Sequence, residues 1–309
     1  MNSGLVLIDK PQGLTSHDVV ARIRRLAGTR RVGHAGTLDP MATGLLILGI
    51  NSATKLLTFL VGADKTYEAT IRLGASTITD DKESDFLELA SADAVTQISA
   101  TQIEAAIKDL SGEILQVPSS VSAIKVDGQR AYAKVRGGDQ VKLAARPVTI
   151  SRFEIVSEPK LVTEGGNTFI DFNAIIDCSS GTYIRALARD LGRALGVGGH
   201  LTALRRTRVG HYSIEQAQSV DALTRESSPD ALQLLPIEQA AAQQFQLRVL
   251  TDQEVIDLRH GKRLAHAGEG DQVFAGVDSQ QKLIAMLERS GSQVKSVVVF
   301  ANTEEGENV

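Results

Sequence analysis

Apolar and polar residues follow one another in patterns that predict short strands and helices in mixed order. Leu5 to Ile8 and Leu45 to Leu48 are short apolar runs typical of buried strands. Tyr67 to Leu73 alternates with a period of two, as in a strand with one buried face, and Gly74 ends it. These three segments are therefore predicted to be strands of a sheet.

Helical spacing of apolar residues appears between and after these strands. The pattern predicts a first helix with Ser16 as its N-cap, running to about Leu26 and ended by Gly28. Further helices are predicted at about Ala53–Leu60, Gln102–Leu110, Tyr183–Leu195 and Asp252–Arg259, with a helical, Ala/Gln-rich region near 217–246. Thr77 to Asp85 is predicted to be a polar, acidic loop.

The second half of the chain adds more strands. Val148–Val156 and Thr168–Ile176 form a predicted strand pair around Gly165-Gly166, and Leu204–Ile214 is a further strand. Ile124–Val126 precedes a turn signal, Asp127-Gly128. Helices and strands mix without a regular βαβ period, which predicts the α+β class with a mostly antiparallel sheet.

The pattern of predicted elements changes near residue 247. From there one helix, Asp252–Arg259, is followed by short strands. These strands lie at Val273–Val277, Leu283–Leu287 and Val294–Phe300. The pattern predicts a main domain over residues 1–246, a small β domain over 247–303 and an acidic tail over 304–309.

Composition narrows the class of protein. The chain has 309 residues, 42% hydrophobic and 23% charged, which is ordinary for globular proteins. No apolar run is long enough to span a bilayer, and residues 1–15 lack a signal-peptide pattern. Cys178 is the single cysteine, so no disulfide can form within the chain. These features predict a cytoplasmic protein without a membrane segment.

The net charge of −4 conceals an uneven distribution. Residues 1–60 hold seven Lys/Arg against three Asp/Glu, and residues 181–211 hold six against one. The acidic excess lies in residues 61–120, with eleven acidic and four basic side chains. Basic segments that converge on one face would attract a polyanion, although the same counts are consistent with solvated surface charge.

Several kinds of site are not predicted. The chain has no P-loop motif, no G-x-G-x-x-G after a strand and no H-E-x-x-H motif. Its six histidines show no zinc-ligand spacing. We therefore expect neither a metal nor a nucleotide cofactor.

The most informative segment runs from Gly33 to Gly44 and contains Asp39-Pro40. Its glycines allow sharp turns, and proline favours an extended conformation for the residue before it. An ionised aspartate fixed in this way can act as a nucleophile. Taken alone, however, an Asp-Pro pair is more often a turn or a helix N-cap with proline at the first helical position.

The order of several motifs resembles that of the TruB-type pseudouridine synthases. Leu7–Ser16 is similar to the family's opening motif, and Gly33–Gly44 to its nucleophile motif G-H-x-G-x-L-D-P-x-A-x-G. The other similar segments are Lys65–Gly74, Val117–Gly128 with Tyr132 after it, Cys178–Arg185 and His200–Thr207. One departure is Ser180, where a common form has lysine. The matches cover roughly the first 215 residues; the C-terminal segment resembles the family's PUA-like domain only weakly.

This resemblance implies a fold and a reaction. It implies a pseudouridine synthase domain over residues 1–246 and a PUA-like RNA-binding domain over 247–303. The implied reaction exchanges the N1–C1′ bond of a uridine for a C5–C1′ bond without a cofactor. Asp39 would attack the target nucleotide or promote a glycal route through the ribose. The implied target is uridine 55 in the TΨC loop of tRNA, and the implied enzyme is a monomer.

The resemblance also assigns individual residues. Asp39, Tyr67 and Arg185 would be catalytic, with Arg185 holding the Asp39 carboxylate and Tyr67 stacking on the base. Substrate binding would involve Lys10, Pro11, His34, Tyr183, Leu204 and Arg205. Each also has an ordinary structural explanation, such as a strand aromatic for Tyr67 or a surface charge for Arg185.

RNA binding would require cations along the phosphate backbone. Phosphates of the T arm would contact one group of arginines near the first helix and another near residue 205, while the C-terminal domain would reach toward the acceptor stem. The groups are Arg22, Arg24, Arg25, Arg30 and Arg31, and Arg205, Arg206 and Arg208. Two alternatives remain: a non-catalytic RNA-binding or RNA-folding protein, and an aspartate-dependent glycosidase using Asp9 or Asp18 as a second carboxylate.

Overall fold

The computed structural model contains a large mixed sheet and a smaller five-stranded sheet. It describes residues 3–119, 125–126, 129–130, 143–226, 228, 231–265 and 272–300. The strands are β1 (Gly4–Lys10), β2 (Val32–Ala35), β3 (Thr43–Ile50), β4 (Lys65–Leu73), β5 (Ala75–Thr77), β6 (Phe86–Leu89), β7 (Gly112–Gln116), β8 (Lys125–Val126), β9 (Gln129–Arg130), β10 (Arg146–Ile155), β11 (Lys160–Glu164), β12 (Asn167–Cys178), β13 (Gly199–Val209), β14 (Tyr212–Ser213), β15 (Gln218–Ser219), β16 (Leu235–Pro236), β17 (Leu247–Val249), β18 (Leu264–Ala265), β19 (Val273–Val277), β20 (Leu283–Ser290) and β21 (Gln293–Val299). The helices are α1 (Ser16–Ala27), α2 (Leu57–Val61), α3 (Ala92–Thr96), α4 (Ala100–Asp109), α5 (Ile184–Ala194), α6 (Val220–Glu226), α7 (Ile237–Gln244) and α8 (Asp252–Arg259), with 3₁₀ turns at Asn51–Lys55 and Ile214–Gln216.

The large sheet has the strand order β15–β1–β3–β13–β4–β12–β10–β7. Its pairs are antiparallel except β1 with β15 and β3 with β13, which are parallel. Helices mix with these strands in no βαβ repeat, so the predicted α+β class with a mostly antiparallel sheet is confirmed.

Alternation along the central strands divides the core into two parts. Val6 and Ile8 face a core that also contains residues of α1 and α5. Leu5 and Leu7 face the opposite core, which contains α2, α7 and residues of the C-terminal sheet such as Met286. Because successive side chains of a strand point to opposite faces, one short apolar run serves both cores.

The C-terminal strands form a separate five-stranded sheet in the order β17–β19–β20–β21–β18. It has a small core of its own around Leu258, Phe274 and Leu287. Met286 and Phe300 pack instead in the core shared with the large sheet. The small domain is therefore attached through a common apolar interface, on the side of the sheet away from α1.

Some sequence predictions need correction. Thr15, not Ser16, is the N-cap of α1, since its side chain accepts from the amide of Asp18 in a capping box. Gly165-Gly166 joins β11 to β12, because β11 intervenes after β10. The segment predicted as a helix at 53–60 begins as a 3₁₀ turn, and the region 217–246 contains two short helices and two short strands. Asp127-Gly128, Tyr132 and the 304–309 tail lie outside the described residues.

Candidate active site

The loop that carries Asp39 joins β2 to β3 and is fixed at several points. Asp39 opens a turn in which the amide of Ala42 donates to its carbonyl at 3.1 Å, and no helix follows. Ser16 Oγ donates to the carbonyl of Leu38 at 3.1 Å and accepts from its amide at 2.9 Å. The predicted capping residue Ser16 thus holds the residue before Asp39. Gly44 is required as well: a Cβ there would lie 2.2 Å from the carbonyl oxygen of Arg206.

Arg185 holds the Asp39 carboxylate, as the resemblance implied. Its Nε donates to Asp39 Oδ2 at 2.9 Å. The Arg185 side chain is 5% exposed, whereas that of Asp39 is 38% exposed. A buried guanidinium therefore fixes one oxygen of a carboxylate that remains accessible from solvent. Charge-assisted hydrogen bonds of this kind are short and strong, and they fix the direction of the carboxylate.

A second acidic residue contacts Arg185 and was not singled out from the sequence. Asp81, whose side chain is 3% exposed, places Oδ2 3.6 Å from Arg185 Nη1. The same Nη1 donates to the carbonyl of Thr79 at 2.5 Å. Asp81 is itself held by Thr79 Oγ1 at 2.5 Å and by the amide of Glu83 at 2.9 Å. The acidic loop that follows β5 thus contacts Arg185; its concentration of carboxylates, at Asp80, Asp81, Glu83 and Asp85, was the available signal.

Lys10 is fully buried and supports the Asp39 loop from the end of β1. Its Nζ donates to the carbonyls of Leu14 at 2.6 Å, Pro11 at 3.0 Å and Pro40 at 3.4 Å. Burial lowers the pKa of Lys10 from 10.5 to about 8, and the negative charge of Asp39 opposes that shift. The predicted Lys10-Pro11 pair therefore positions the loop from inside, away from solvent.

Tyr67 lies on β4 opposite Arg206 of β13, and both side chains are buried. Burial raises the pKa of Tyr67, and the nearby Arg206 opposes this. The phenol is therefore neutral near pH 7. Arg206 Nε donates to the carbonyl of Leu45 at 2.7 Å and Nη2 to that of Gly36 at 3.1 Å. Arg206 is 1% exposed, so its predicted phosphate contact is wrong: it supports the loop instead.

A cleft of about 430 Å³ opens beside this loop. Its lining includes Met41, two residues after Asp39, together with Leu204 and Arg205 of β13. Arg205 makes a two-pronged ion pair with Asp9, at 2.8 and 3.0 Å, and is about one-third exposed. Two of the predicted substrate-binding residues, Leu204 and Arg205, therefore line one cleft. Gln12 and Lys82 line it as well.

Tyr183 and His34 occupy different surroundings. Tyr183 is half-buried just before α5, and its amide donates to Gln116 Oε1 at 2.8 Å. His34 lies on β2, with its ring 5.5 Å from that of His17 in an edge-to-face arrangement. Burial lowers the pKa of His34, and its Nδ1 is buried without a hydrogen-bond partner in the described structure. His34 is therefore a neutral ring that presents an unused polar atom.

The two acids considered as partners for a glycosidase are already engaged. Asp9 pairs with Arg205, and Asp18 accepts from Thr15 in the capping box of α1. Among the described residues, no group of three or more His, Cys, Asp or Glu side chains is arranged to hold a metal ion. None of the helices in the described part of the chain combines the length and apolarity needed to cross a bilayer.

Three family models match successive parts of the chain. Residues 24–184 match the model of the TruB family pseudouridylate synthase N-terminal domain. Residues 185–241 match the tRNA pseudouridylate synthase B C-terminal domain, and residues 245–301 match the C-terminal model of tRNA pseudouridine synthase II.

Similar curated proteins carry one name. The chain is 54% identical over 313 residues to the tRNA pseudouridine synthase B of Arthrobacter sp. (strain FB24), covering 99% of each. It is 50% identical over 303 residues to that of Thermobifida fusca (strain YX), covering 98% of this chain and 100% of the relative. Among solved structures, a chain of an H/ACA RNP bound to a substrate RNA containing 2′-deoxyuridine matches with a TM-score of 0.68 and 25% identity, covering 97% and 86%.

A mixed sheet with an arginine-held aspartate, together with these matches, defines the class of pseudouridine synthases. The chain belongs to the TruB family of that class, enzymes that isomerise uridine in tRNA. The predicted family and the small C-terminal PUA-like domain are thereby confirmed. The target nucleotide, the nucleophile, the other site residues and the domain limits stay predictions.

Proposed function

We propose that this enzyme converts uridine 55 in the TΨC loop of tRNA to pseudouridine, with Asp39 as its nucleophile and without a metal or cofactor. The observation that carries the proposal is the ion pair between the accessible Asp39 carboxylate and the buried Arg185. A carboxylate that a buried guanidinium holds in one direction, and that remains open to solvent, is suited to attack on a nucleotide.

The reaction is an isomerisation that leaves the molecular formula of the nucleotide unchanged. The N1–C1′ bond breaks, the C5–C1′ bond forms, the proton on C5 leaves and N1 gains a proton. Asp39 assists the cleavage by attacking the nucleotide or by promoting a glycal intermediate. Neither route needs an oxidant or a second substrate, which agrees with the absence of cofactor motifs from the sequence.

A uridine within a folded loop reaches Asp39 only when it is extruded. Extrusion costs a few kcal/mol, because the base loses its stacking and pairing contacts. The cleft beside Met41 and Leu204 has room for a base, at about 430 Å³. Tyr67 stacks on the extruded base as a neutral phenol and takes part in removal of the C5 proton. Tyr183 and His34 are both half-buried. We assign Tyr183 to pack beside the target nucleotide and His34 to substrate binding.

The phosphate backbone is bound by arginines at the end of α1 and the start of β2. Arg24, Arg25 and Arg30 line an open depression of about 620 Å³. They and Arg31 are exposed and form no ion pair within the described residues. Exposed, unpaired arginines supply affinity for phosphates irrespective of sequence.

The C-terminal domain offers a second basic surface. Arg259, Lys262 and Arg263 are exposed at the end of α8 and in the loop after it. Lys262 is paired with Asp257, which leaves the two arginines for an acidic partner. We assign this surface to the acceptor stem, since the domain is attached to the main sheet through a shared core.

Two alternative functions are distinguished by the same site. A purely RNA-binding protein has no use for an accessible carboxylate held by a buried arginine. A glycosidase needs a second carboxylate that faces the first, whereas Asp9 and Asp18 are engaged elsewhere.

The test uses tRNA transcripts labelled with tritium at C5 of uridine. Wild-type enzyme should release tritium from an unmodified transcript without added metal or nucleotide, and Asp39→Asn should bind the tRNA but release none. A transcript with cytidine at position 55 should release no tritium with wild-type enzyme. Equal release by Asp39→Asn would overturn the role of Asp39, and release from the position-55 variant would overturn the assigned target.

A further inference from the structure

A second arginine on α5 contacts the loop that supports Arg185. Arg189 lies one helical turn after Arg185, so both side chains leave the same face of α5. Arg189 Nη1 lies 3.2 Å from Asp80 Oδ2, and its Nη2 donates to the carbonyl of Val117 at 2.7 Å. Neither Arg189 nor Asp80 has a role in the mechanism above.

The loop between β5 and β6 is thus held at three consecutive residues by two arginines. Arg185 contacts the carbonyl of Thr79 and the carboxylate of Asp81. Arg189 contacts the side chain of Asp80, the residue between them. A displacement of Asp80 would move both contacts of Arg185 at once.

Asp80 adopts a backbone conformation that requires support. Its φ angle is +59°, in the left-handed region that side chains other than glycine, asparagine and aspartate rarely adopt. Its carbonyl accepts from the amide of Leu201 at 3.1 Å. Its carboxylate is 9% exposed, and burial raises the pKa of Asp80 while Arg189 lowers it. The buried charge therefore depends on its arginine partner.

We infer that the Arg189–Asp80 pair is a positioning element that keeps Thr79 and Asp81 in register with Arg185 and so maintains the direction of the Asp39 carboxylate. This inference rests on the proposed function, because it assigns Asp39 and Arg185 to the reaction. Neither Arg189 nor Asp80 touches the reacting atoms.

The experiment compares Asp80→Asn, Arg189→Gln and the double variant by steady-state tritium release at several tRNA concentrations, which gives kcat and KM. Asparagine is chosen because it tolerates the left-handed conformation and matches the size of aspartate. Asp171→Asn serves as the control, since it also removes an arginine-paired carboxylate, here one that is 22% exposed and pairs with Arg72 of β4. Arg189→Lys is added as the conservative variant that keeps the charge.

We expect each single variant to lose about tenfold to a hundredfold in kcat, as a small misplacement of a catalytic group does, with KM nearly unchanged. The double variant should be no slower than the slower single one, because both changes break the same contact. Arg189→Lys should recover part of the rate. Asp171→Asn should retain wild-type kcat, although its melting temperature falls.

Three results would overturn the inference. The first is wild-type kcat in Asp80→Asn and Arg189→Gln with only a lowered melting temperature. The second is a loss confined to KM, which would make Arg189 an RNA contact. The third is a double variant whose loss is the product of the single losses. Wild-type and Asp39→Asn enzymes in the same assay show separately whether the proposed function holds.

Discussion

Two sets of basic side chains occupy opposite environments in this enzyme. Lys10, Arg185 and Arg206 are buried around the Asp39 loop, with 0%, 4% and 1% exposure. The arginines at the end of α1 and just before β2, which we call the α1–β2 arginines, are exposed and form no ion pair within the described residues; they are Arg24, Arg25, Arg30 and Arg31. Arg24 also donates to the carbonyl of Val32 at 3.0 Å.

The difference lies in what each set binds. The buried cations donate mainly to backbone carbonyls: Lys10 to three of them, and Arg206 to those of Leu45 and Gly36. A buried charge is tolerated only when such hydrogen bonds replace water. These side chains therefore build the site, whereas the α1–β2 arginines keep their charge available to a polyanion. The same residue type can serve structure or binding, depending on whether its position in the fold buries it or leaves it exposed.

The largest effect expected from this comparison is that of Arg206→Met. The change removes the hydrogen bonds from Arg206 to the carbonyls of Leu45 and Gly36, and with them the buried support of the loop. We expect a loss of about 3–5 kcal/mol in the free energy of unfolding, as for other broken buried polar networks, and loss of tritium release. Urea unfolding of both proteins measures it. A variant as stable and active as wild type would show that Arg206 is dispensable to the loop.

A smaller effect is expected from the titration of Lys10. Its folded-state pKa is about 8, below its usual 10.5, so between these values the unfolded chain binds more protons than the folded one. The Lys10 contribution to the free energy of unfolding should therefore rise with pH across this window, by about 1–3 kcal/mol. Below pH 8 the burial penalty is fully present.

The measurement is the pH dependence of urea unfolding for wild type and Lys10→Met between pH 7 and 10.5. The variant removes the titrating group, so the difference between the two curves isolates it. Lys65 has a similar pKa of about 8 and titrates in both proteins, so its contribution cancels. Parallel curves would contradict the shifted pKa of Lys10.

Much of this arrangement could be predicted from the sequence, and what was missed has a physical reason. The apolar runs of β1 and β3 predicted the central strands, because burial on both faces leaves an unmistakable pattern. The nucleophile motif and Arg185 were found by resemblance. Arg206 was misassigned because Arg205 and Arg206 are adjacent, and only the strand register places one toward Asp9 and the other toward Tyr67.

Asp81 was missed for a different reason. Its neighbours in sequence are acidic and polar, which predicts an exposed loop. The loop is buried because Arg185 and Arg189 of α5 pack against it. That helix lies about a hundred residues further along the chain. No local pattern reports a long-range ion pair, so such contacts require the fold.

Substitutions of the α1–β2 arginines should change the salt dependence of tRNA binding rather than the free energy of unfolding. Arg25→Ala combined with Arg30→Ala should weaken tRNA binding several-fold, and the slope of log K against log salt should fall by about one per arginine. The free energy of unfolding should stay within about 0.5 kcal/mol of wild type, because exposed charges contribute little to it. Filter binding at several salt concentrations measures the slope. An unchanged slope would show that the α1–β2 arginines do not contact phosphates.

The smallest effect is expected for Arg208, whose exposure is intermediate between that of the buried cations and that of the α1–β2 arginines. It was predicted to bind phosphate, but its side chain, 38% exposed, pairs with Asp177 at 3.3 Å and donates to Thr66 and Gly210. Because these contacts are partly exposed, Arg208→Ala should cost less than about 1 kcal/mol in the free energy of unfolding. Its charge is already compensated by Asp177, so the salt slope of tRNA binding should not change. A slope lower by about one would instead place Arg208 with the α1–β2 arginines, and would mean that the RNA displaces an ion pair to reach it.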